Sequence, residues 1–565
     1  MKYYWLVFLF FIAAYLVPLA GRPMIVPDEF RYAEIPQEMI ETGDYVTPRL
    51  LGYRYFEKPV MGYWLTAGSF RVFGINAFAN RLPAALGAGL GALLIALMVQ
   101  QSLRDNKIAA TAAAFYLSCG LVYGISTFAV LDSQLTGFVT GILGCAFLAM
   151  LEPRFTRRKA ALLACCGLFA GLAFLTKGFV AFAAPGLAVL GFIIWERRWK
   201  ELWQLPWIPL AVALAVIAPW AVAVHRAEPD YWRYFVVVEH LQRFLSKEPG
   251  QHPEPFWFLV PFLVGGIFPA AFLALGAVPG MWRRRREFFR QPLYRFALCS
   301  AVLPFLFFSA SSGKLPTYVL PCFPGVAVLA AGGIAAYFRT GHQNRFFQWV
   351  LTVWGALLAV AGIGVIGLMV FHPFAELASK RGAIIFLGAA GVIYGAVLLW
   401  SHRRLWRIRF YTFFTGLAAV LAIGGWAIPD ELIGSKAPER ALRELPQKLQ
   451  YDPASVRLVT HPSLMHAVAF VHRRPDVMLL SGSGGELEYG IKEAAARGER
   501  SELLHSAQLV ELLKRPDRPG VVFIERCKDD KPPRDFCLQL NGKMVEINGI
   551  RGVYFPAPAT AEKGE

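Results

Sequence analysis

Charge is scarce in this sequence: Asp, Glu, Lys and Arg together make up 17% of its 565 residues. Soluble globular proteins carry about 25%. Hydrophobic residues reach 56%, and mean hydropathy is +0.45. That balance excludes an ordinary water-soluble chain. Internal repeats are also lacking, which argues against the commonest build of a secondary transporter. The first apolar stretch, Tyr3 to Ala20, has no strongly basic leader, and Gly21-Arg22-Pro23 is a poor cleavage site. It reads as a retained span, not a signal peptide. Cysteine is sparse. Cys119, Cys145, Cys165, Cys166, Cys299 and Cys322 lie in or beside apolar stretches, where a thiol behaves as a small hydrophobe. Cys527 and Cys537 lie in the C-terminal tail, where a disulfide is expected, two free thiols being the alternative.

What is abundant is apolar sequence in lengths of about 20 residues. Thirteen spans are expected, near 3–20, 82–101, 109–128, 134–151, 160–176, 178–195, 205–224, 255–279, 296–311, 318–337, 347–371, 382–400 and 410–428. The net charge of +18 sits largely between them, in clusters such as Arg154 to Lys159, Arg283 to Arg286 and Arg403 to Arg409. Such placement follows the positive-inside rule, so nucleic acid is not the implied partner. With the N-terminus inside, these clusters are cytoplasmic and the tail is outside. Residues 1–430 then form a transmembrane catalytic domain with long outer loops 21–81 and 225–254, and 431–565 form an outer α/β domain. In the tail, 440–450 and 461–473 read as helices, 456–460, 477–480 and 521–525 as strands, and 543–547 with 552–555 as a hairpin. In the first loop, 30–42 and 61–73 read as short interfacial helices.

Acids are few in the membrane part, and seven of them fall in the first loop: Asp28, Glu29, Glu34, Glu38, Glu41, Asp44 and Glu57. Asp28 opens PDEFRYAEI, either as a helix cap or as a functional acid beside Arg31 and Tyr32. YFEKPVMGYWL places Tyr55, Glu57 and Lys58 among interfacial aromatics. Neighbours on a helix do not face each other, so Glu57 and Lys58 are expected to have different partners. Asp132 stands alone between apolar stretches, as a cap or as a functional group at membrane depth. Lys177, in LTKGF, occupies an outer turn where basic residues are disfavoured, so it calls for a negative partner. VEHLQRF brings Glu239, His240 and Arg243 within two helical turns, a solvated face or a weak metal signal. GKLPTY adds Lys314 and Tyr318. Four cations on separate outer loops, Lys58, Lys177, Arg243 and Lys314, with Tyr55 and Tyr318 beside them, suit a phosphate.

These motifs, together with TGDYVTPRLLGYRYFEKPVMGYW, EPDYWRYFVVVEHLQRF and GGELEYGI of the tail, resemble the GT-C glycosyltransferases that use polyprenyl-phosphate sugars. The likeness is greatest to the lipid A aminoarabinose transferases of Gram-negative inner membranes. The resemblance covers nearly the whole chain. It implies a polytopic α-helical GT-C membrane domain of about 13 helices with a periplasmic α/β domain. It implies an inverting, monomeric enzyme that moves 4-amino-4-deoxy-L-arabinose from undecaprenyl phosphate to a lipid A phosphate and so confers polymyxin resistance. By motif, Asp28 matches the essential acid, while Lys58, Arg243 and Tyr318 match carrier-phosphate residues. Glu57 with His240 would match a divalent-metal position, and no nucleotide cofactor is implied. A hydroxyl acceptor on a protein or glycan is an alternative within the fold. A lipid flippase is the alternative of another class, and it leaves the outer acids unused.

Overall fold

In the computed structural model the described residues are 2–242, 253–339, 345–372, 375–401, 406–429, 433–481, 485–499, 503–527 and 542–558. Ten helices among them are long and apolar enough to cross a membrane, from Tyr3–Ala20 to Ile408–Ala427. Along Arg345–Phe371, large apolar side chains such as Leu357, Val360 and Ile363 are exposed. A soluble protein does not tolerate such a stripe, whereas lipid covers it without cost. The chain is a multi-pass membrane protein.

The remaining three expected spans are present in shorter or interrupted form. Residues 178–195 form the helix Val180–Glu196. Residues 109–128 break into Asn106–Leu117 and Gly120–Ser126, and 255–279 into Leu259–Gly266 and Ala271–Arg283. The two breaks satisfy each other. Gly120 N–H donates to the Phe268 carbonyl at 2.7 Å, and a Cβ on Gly120 would lie 2.6 Å from that oxygen. Irregular backbone inside a membrane protein persists when protein, not lipid, meets its polar groups.

Two compact units are formed, one from residues 1–21, 57–65 and 81–428, the other from 22–56, 66–80 and 429–565. In the helical unit, close approach depends on small residues. A Cβ on Gly87 would sit 2.7 Å from the Ser133 carbonyl, and one on Gly137 2.7 Å from the Gly87 carbonyl. Ser133 Oγ donates to the Ala84 carbonyl at 2.6 Å. These contacts seat the start of Asp132–Leu151 against Ala77–Leu103.

The second unit is built on a six-stranded sheet in the order 503–504, 478–480, 457–460, 521–526, 550–555, 543–547. The first four strands are parallel and the last two antiparallel. Leu458, Val459, Phe523, Ile524 and Val553 are fully buried within it. Part of the first loop folds with this sheet. The helix Asp28–Thr42 meets Met465–His472 through Phe30 and Phe470, whose rings are 5.7 Å apart. Gly490 lets the hairpin at 49–54 approach, since a Cβ there would lie 2.6 Å from the Arg54 carbonyl. Cys527 is a free thiol, a correction to the expected disulfide, and Cys537 lies outside the described residues.

Candidate functional site

In the helical unit, Asp132 is the first residue of Asp132–Leu151 and Lys177 the last of Arg157–Lys177. A carboxylate suits a helix N-terminus and an ammonium a C-terminus, because each meets the opposite end of the helix dipole. The two ends meet here: Lys177 Nζ donates to Asp132 Oδ1 at 2.7 Å. Asp132 is thus neither a side-chain cap nor an isolated charge. The Lys177 ammonium also lies 5.5 Å from the centre of the Tyr318 ring. Asp132, Lys177, Thr317 and Tyr318 line the polar part of a cleft whose other walls are apolar, among them Leu135, Val139, Val180 and Phe308. Thr317 Oγ1 is buried there without a hydrogen-bond partner.

Lys58 belongs to the same unit, and its ammonium is held by the Glu57 carbonyl at 3.0 Å and by Glu239 Oε1 at 2.6 Å. Glu239 sits on the wide helical segment Arg233–Gln242. The separation of Glu57 and Lys58 expected from sequence holds, since the carboxylate paired with Lys58 is Glu239. Lys314 behaves differently from expectation. Only 3% exposed, it donates to the Glu254 carbonyl at 2.5 Å and so ties two loops together. Arg243 and the His240 side chain lie outside the described residues. Among the described residues no three His, Cys, Asp or Glu side chains are grouped to hold a metal ion.

The second unit carries the other group. Asp28 is the first residue of Asp28–Thr42, makes no side-chain cap, and is 43% exposed. Arg31, one turn on, approaches it at 3.5 Å through Nη1 and lies 6.0 Å from the Tyr32 ring centre. Arg31 Nε is 2.9 Å from Glu486 Oε2, an ion pair too bent to be a hydrogen bond. Burial works against the Arg31 charge, but Tyr55, Glu486, Tyr32 and Asp28 outweigh it and hold its pKa above the usual value. Behind Glu486 stands His466, fully enclosed, with Nε2 at 2.7 Å from Glu486 Oε1 and Nδ1 at 3.3 Å from Glu34 Oε2. Glu34 accepts the Leu51 N–H at 2.7 Å. Burial opposes the imidazolium, yet the two carboxylates raise its pKa. Burial likewise raises Glu34, against the pull of His466. Glu38, which accepts from Gly52 N–H, is pushed up to about 8 by desolvation and then by Glu34.

Sequence reasoning picked out Asp28, Arg31, Tyr32, Tyr55, Lys58, Asp132, Lys177 and Tyr318. The structure joins Asp132, Lys177 and Tyr318 in one cleft, and Asp28, Arg31 and Tyr32 in one cluster. It also adds Glu486 and His466, and it gives Glu239 and Glu34 the partners Lys58 and His466. A histidine in the apolar run MHAVAFVH and the acids of GELEYG were the available signals, but neither names a partner.

The family described as dolichyl-phosphate-mannose-protein mannosyltransferase matches residues 1–235. A protein of Aeromonas salmonicida named undecaprenyl phosphate-alpha-4-amino-4-deoxy-L-arabinose arabinosyl transferase is 38% identical over 502 residues, 87% of this chain and 88% of that one. A protein of Pectobacterium atrosepticum with the same name is 38% identical over 86% of each chain. The crystal structure of ArnT from Cupriavidus metallidurans bound to undecaprenyl phosphate superposes with a TM-score of 0.79 at 23% identity. That match covers 100% of this chain and 99% of the other, and it shows a shared fold.

Proposed function

The chain belongs to the undecaprenyl phosphate-alpha-4-amino-4-deoxy-L-arabinose arabinosyl transferase family, and on that premise we propose that it transfers aminoarabinose from undecaprenyl phosphate to a phosphate of lipid A. The reaction takes place at the periplasmic face of the bacterial inner membrane, with the protein acting as a monomer, and it lowers the affinity of the envelope for polymyxin. The observation that carries this reading is the cleft around Lys177. An ammonium, a tyrosine and an unpartnered threonine hydroxyl stand at one part of it, and apolar side chains line the rest. A polyprenyl phosphate has the same division, a dianionic head on a hydrocarbon tail.

The chemistry sets the roles. When the sugar leaves the carrier, negative charge grows on the carrier phosphate, and that oxygen needs no proton. It needs cations already in place where charge develops. Lys177 and Lys58 supply them, with Arg243 assigned by its motif. Asp132 and Glu239 are their counter-ions, which keep two ammonium groups from being enclosed uncompensated. The acceptor phosphate has a second pKa of about 6 and is already largely ionised, so a general base contributes little. Asp28, 43% exposed, is assigned to orient the acceptor or to bind the ammonium of the sugar, and Arg31 beside it is assigned as a further substrate-binding residue. Displacement in one step inverts the anomeric centre. Both substrates are lipid-anchored, and most of the acceleration comes from orienting them.

Purified protein incubated with the aminoarabinose carrier lipid and lipid A tests the proposal by mass spectrometry of the lipid A. Modified lipid A is the expected product. Unmodified lipid A, together with transfer to a hydroxyl-bearing peptide supplied in a parallel incubation, would move the chain to the protein-glycosylating branch, whose family matches residues 1–235.

A further inference from the structure

Asp28 and Arg31 are assigned to the substrates, while the C-terminal region has as yet no part in the reaction. The geometry points to one: we infer that His466 and Glu486 are positioning residues that hold Arg31, and through it Asp28, in working orientation. This inference rests on the proposed role of Asp28 and Arg31.

Five side chains form a continuous line of alternating charge, Asp28, Arg31, Glu486, His466 and Glu34, with steps of 3.5, 2.9, 2.7 and 3.3 Å. Exposure falls along it, from 43% at Asp28 through 18% at Arg31 and 16% at Glu486 to 2% at His466. The line is rooted in the interior and ends at the acid that substrates can reach. Both ring nitrogens of His466 face carboxylates, so the imidazolium is the form that donates at both. Glu34 closes the inner end on the Leu51 N–H. Four segments of sequence are needed: the first-loop helix, the turn at 51, Met465–His472, and the GELEYG stretch that holds Glu486.

Stability alone does not account for this arrangement. Taking a histidine and two glutamates out of water is costly, and apolar replacements of similar size commonly serve a core as well or better. What the charges provide is direction. Glu486 fixes the Nε edge of Arg31, and His466 fixes Glu486 by taking its other oxygen. A guanidinium held at one edge keeps its Nη1 group toward Asp28. Such outer support commonly controls how a reacting group is aimed.

The test uses the full-length protein in detergent with the carrier-linked sugar and lipid A. Glu486→Gln keeps the shape and removes the charge; His466→Gln keeps one donor and removes the cation. Both are expected to lower kcat at least tenfold with KM for the carrier lipid changed less than twofold. Activity of the normal protein should fall on the alkaline side as His466 loses its proton, and that limb should disappear in His466→Gln. Combining Glu486→Gln with Arg31→Lys should cost no more than Arg31→Lys alone. Glu525→Gln, which breaks the Glu525–Arg551 pair elsewhere in the same unit, is the control for stability, with kcat expected unchanged. If Glu486→Gln does not accumulate, Glu486→Asp keeps the charge, shortens the reach and is read in the same way. Normal kcat in the Glu486 and His466 variants, with Arg31→Ala inactive, would overturn the inference while leaving the role of Arg31 standing. An active Arg31→Ala would instead remove the reading on which it rests.

Discussion

Replacing Lys177 by methionine keeps the length of the side chain and removes its charge, leaving the Asp132 carboxylate without its cation. The two groups are 2.7 Å apart, with side chains 14% and 16% exposed. At an effective dielectric constant of about 20, unit charges at that distance attract by about 6 kcal/mol. Desolvation of both groups cancels much of this. Removing one partner of a well-buried pair costs about 3–5 kcal/mol, and partial exposure places Lys177→Met near the lower end, at about 3 kcal/mol. Asp132→Asn should cost a similar amount for the mirror-image reason. The double variant has no orphaned charge, so it should be more stable than either single variant, with a coupling of about 2–3 kcal/mol. Denaturant unfolding of all four proteins in micelles measures that coupling. Single effects that simply add, within about 0.5 kcal/mol, would refute the pairing argument. Transfer activity reads a separate quantity. The double variant should regain stability and remain inactive, because the ammonium proposed to receive the phosphate charge is still missing. Recovery of activity would make Lys177 a structural anchor.

Three further predictions follow from the two units. Asp28→Asn should reduce transfer by at least a hundredfold while the protein still reaches the membrane, since the side chain makes no cap and is 43% exposed; retained activity would take Asp28 out of the site. Lys58→Ala should weaken undecaprenyl phosphate binding about tenfold or more, as expected for loss of a charge-assisted contact of about 1.5–3 kcal/mol, and a titration with the carrier lipid measures it. The sheet-bearing unit should loosen as pH rises. Glu38 is held at about 8 and His466 above its ordinary value, so each contributes stability that is complete below its unfolded pKa and lost as pH climbs through the folded one. Protection factors for hydrogen exchange in residues 28–42 and 465–472, which divide out the intrinsic rise of exchange with pH, should therefore be lower at pH 9 than at pH 6, and Glu38→Gln should reduce that difference. Unchanged protection factors would contradict the assignment.

Periodicity and composition were sufficient for much of the architecture. A run of about 20 apolar residues has few alternatives to a membrane helix, and ten expected spans are present as single long helices. The breaks at 118–119 and 267–270 were not visible, because each is tolerated only through the other's backbone. In the tail, the strands at 521–526 and 543–547 lie where β-branched residues cluster. The short strand Leu503–Leu504 was missed, since two residues carry no alternation to read.

The kinds of residue that do chemistry were also written in the sequence: acids and cations placed between apolar runs stand out because they are rare there. Their partners were not. Lys58 finds Glu239 181 positions away, and His466 finds Glu34 432 positions away. Ion pairing depends on distances of a few ångströms in space, which separation along the chain does not encode. Composition alone thus determined that this protein lives in a membrane and which side chains are unusual there. Only the folded chain decided which charge neutralises which, because that follows from where packed helices and strands bring their ends.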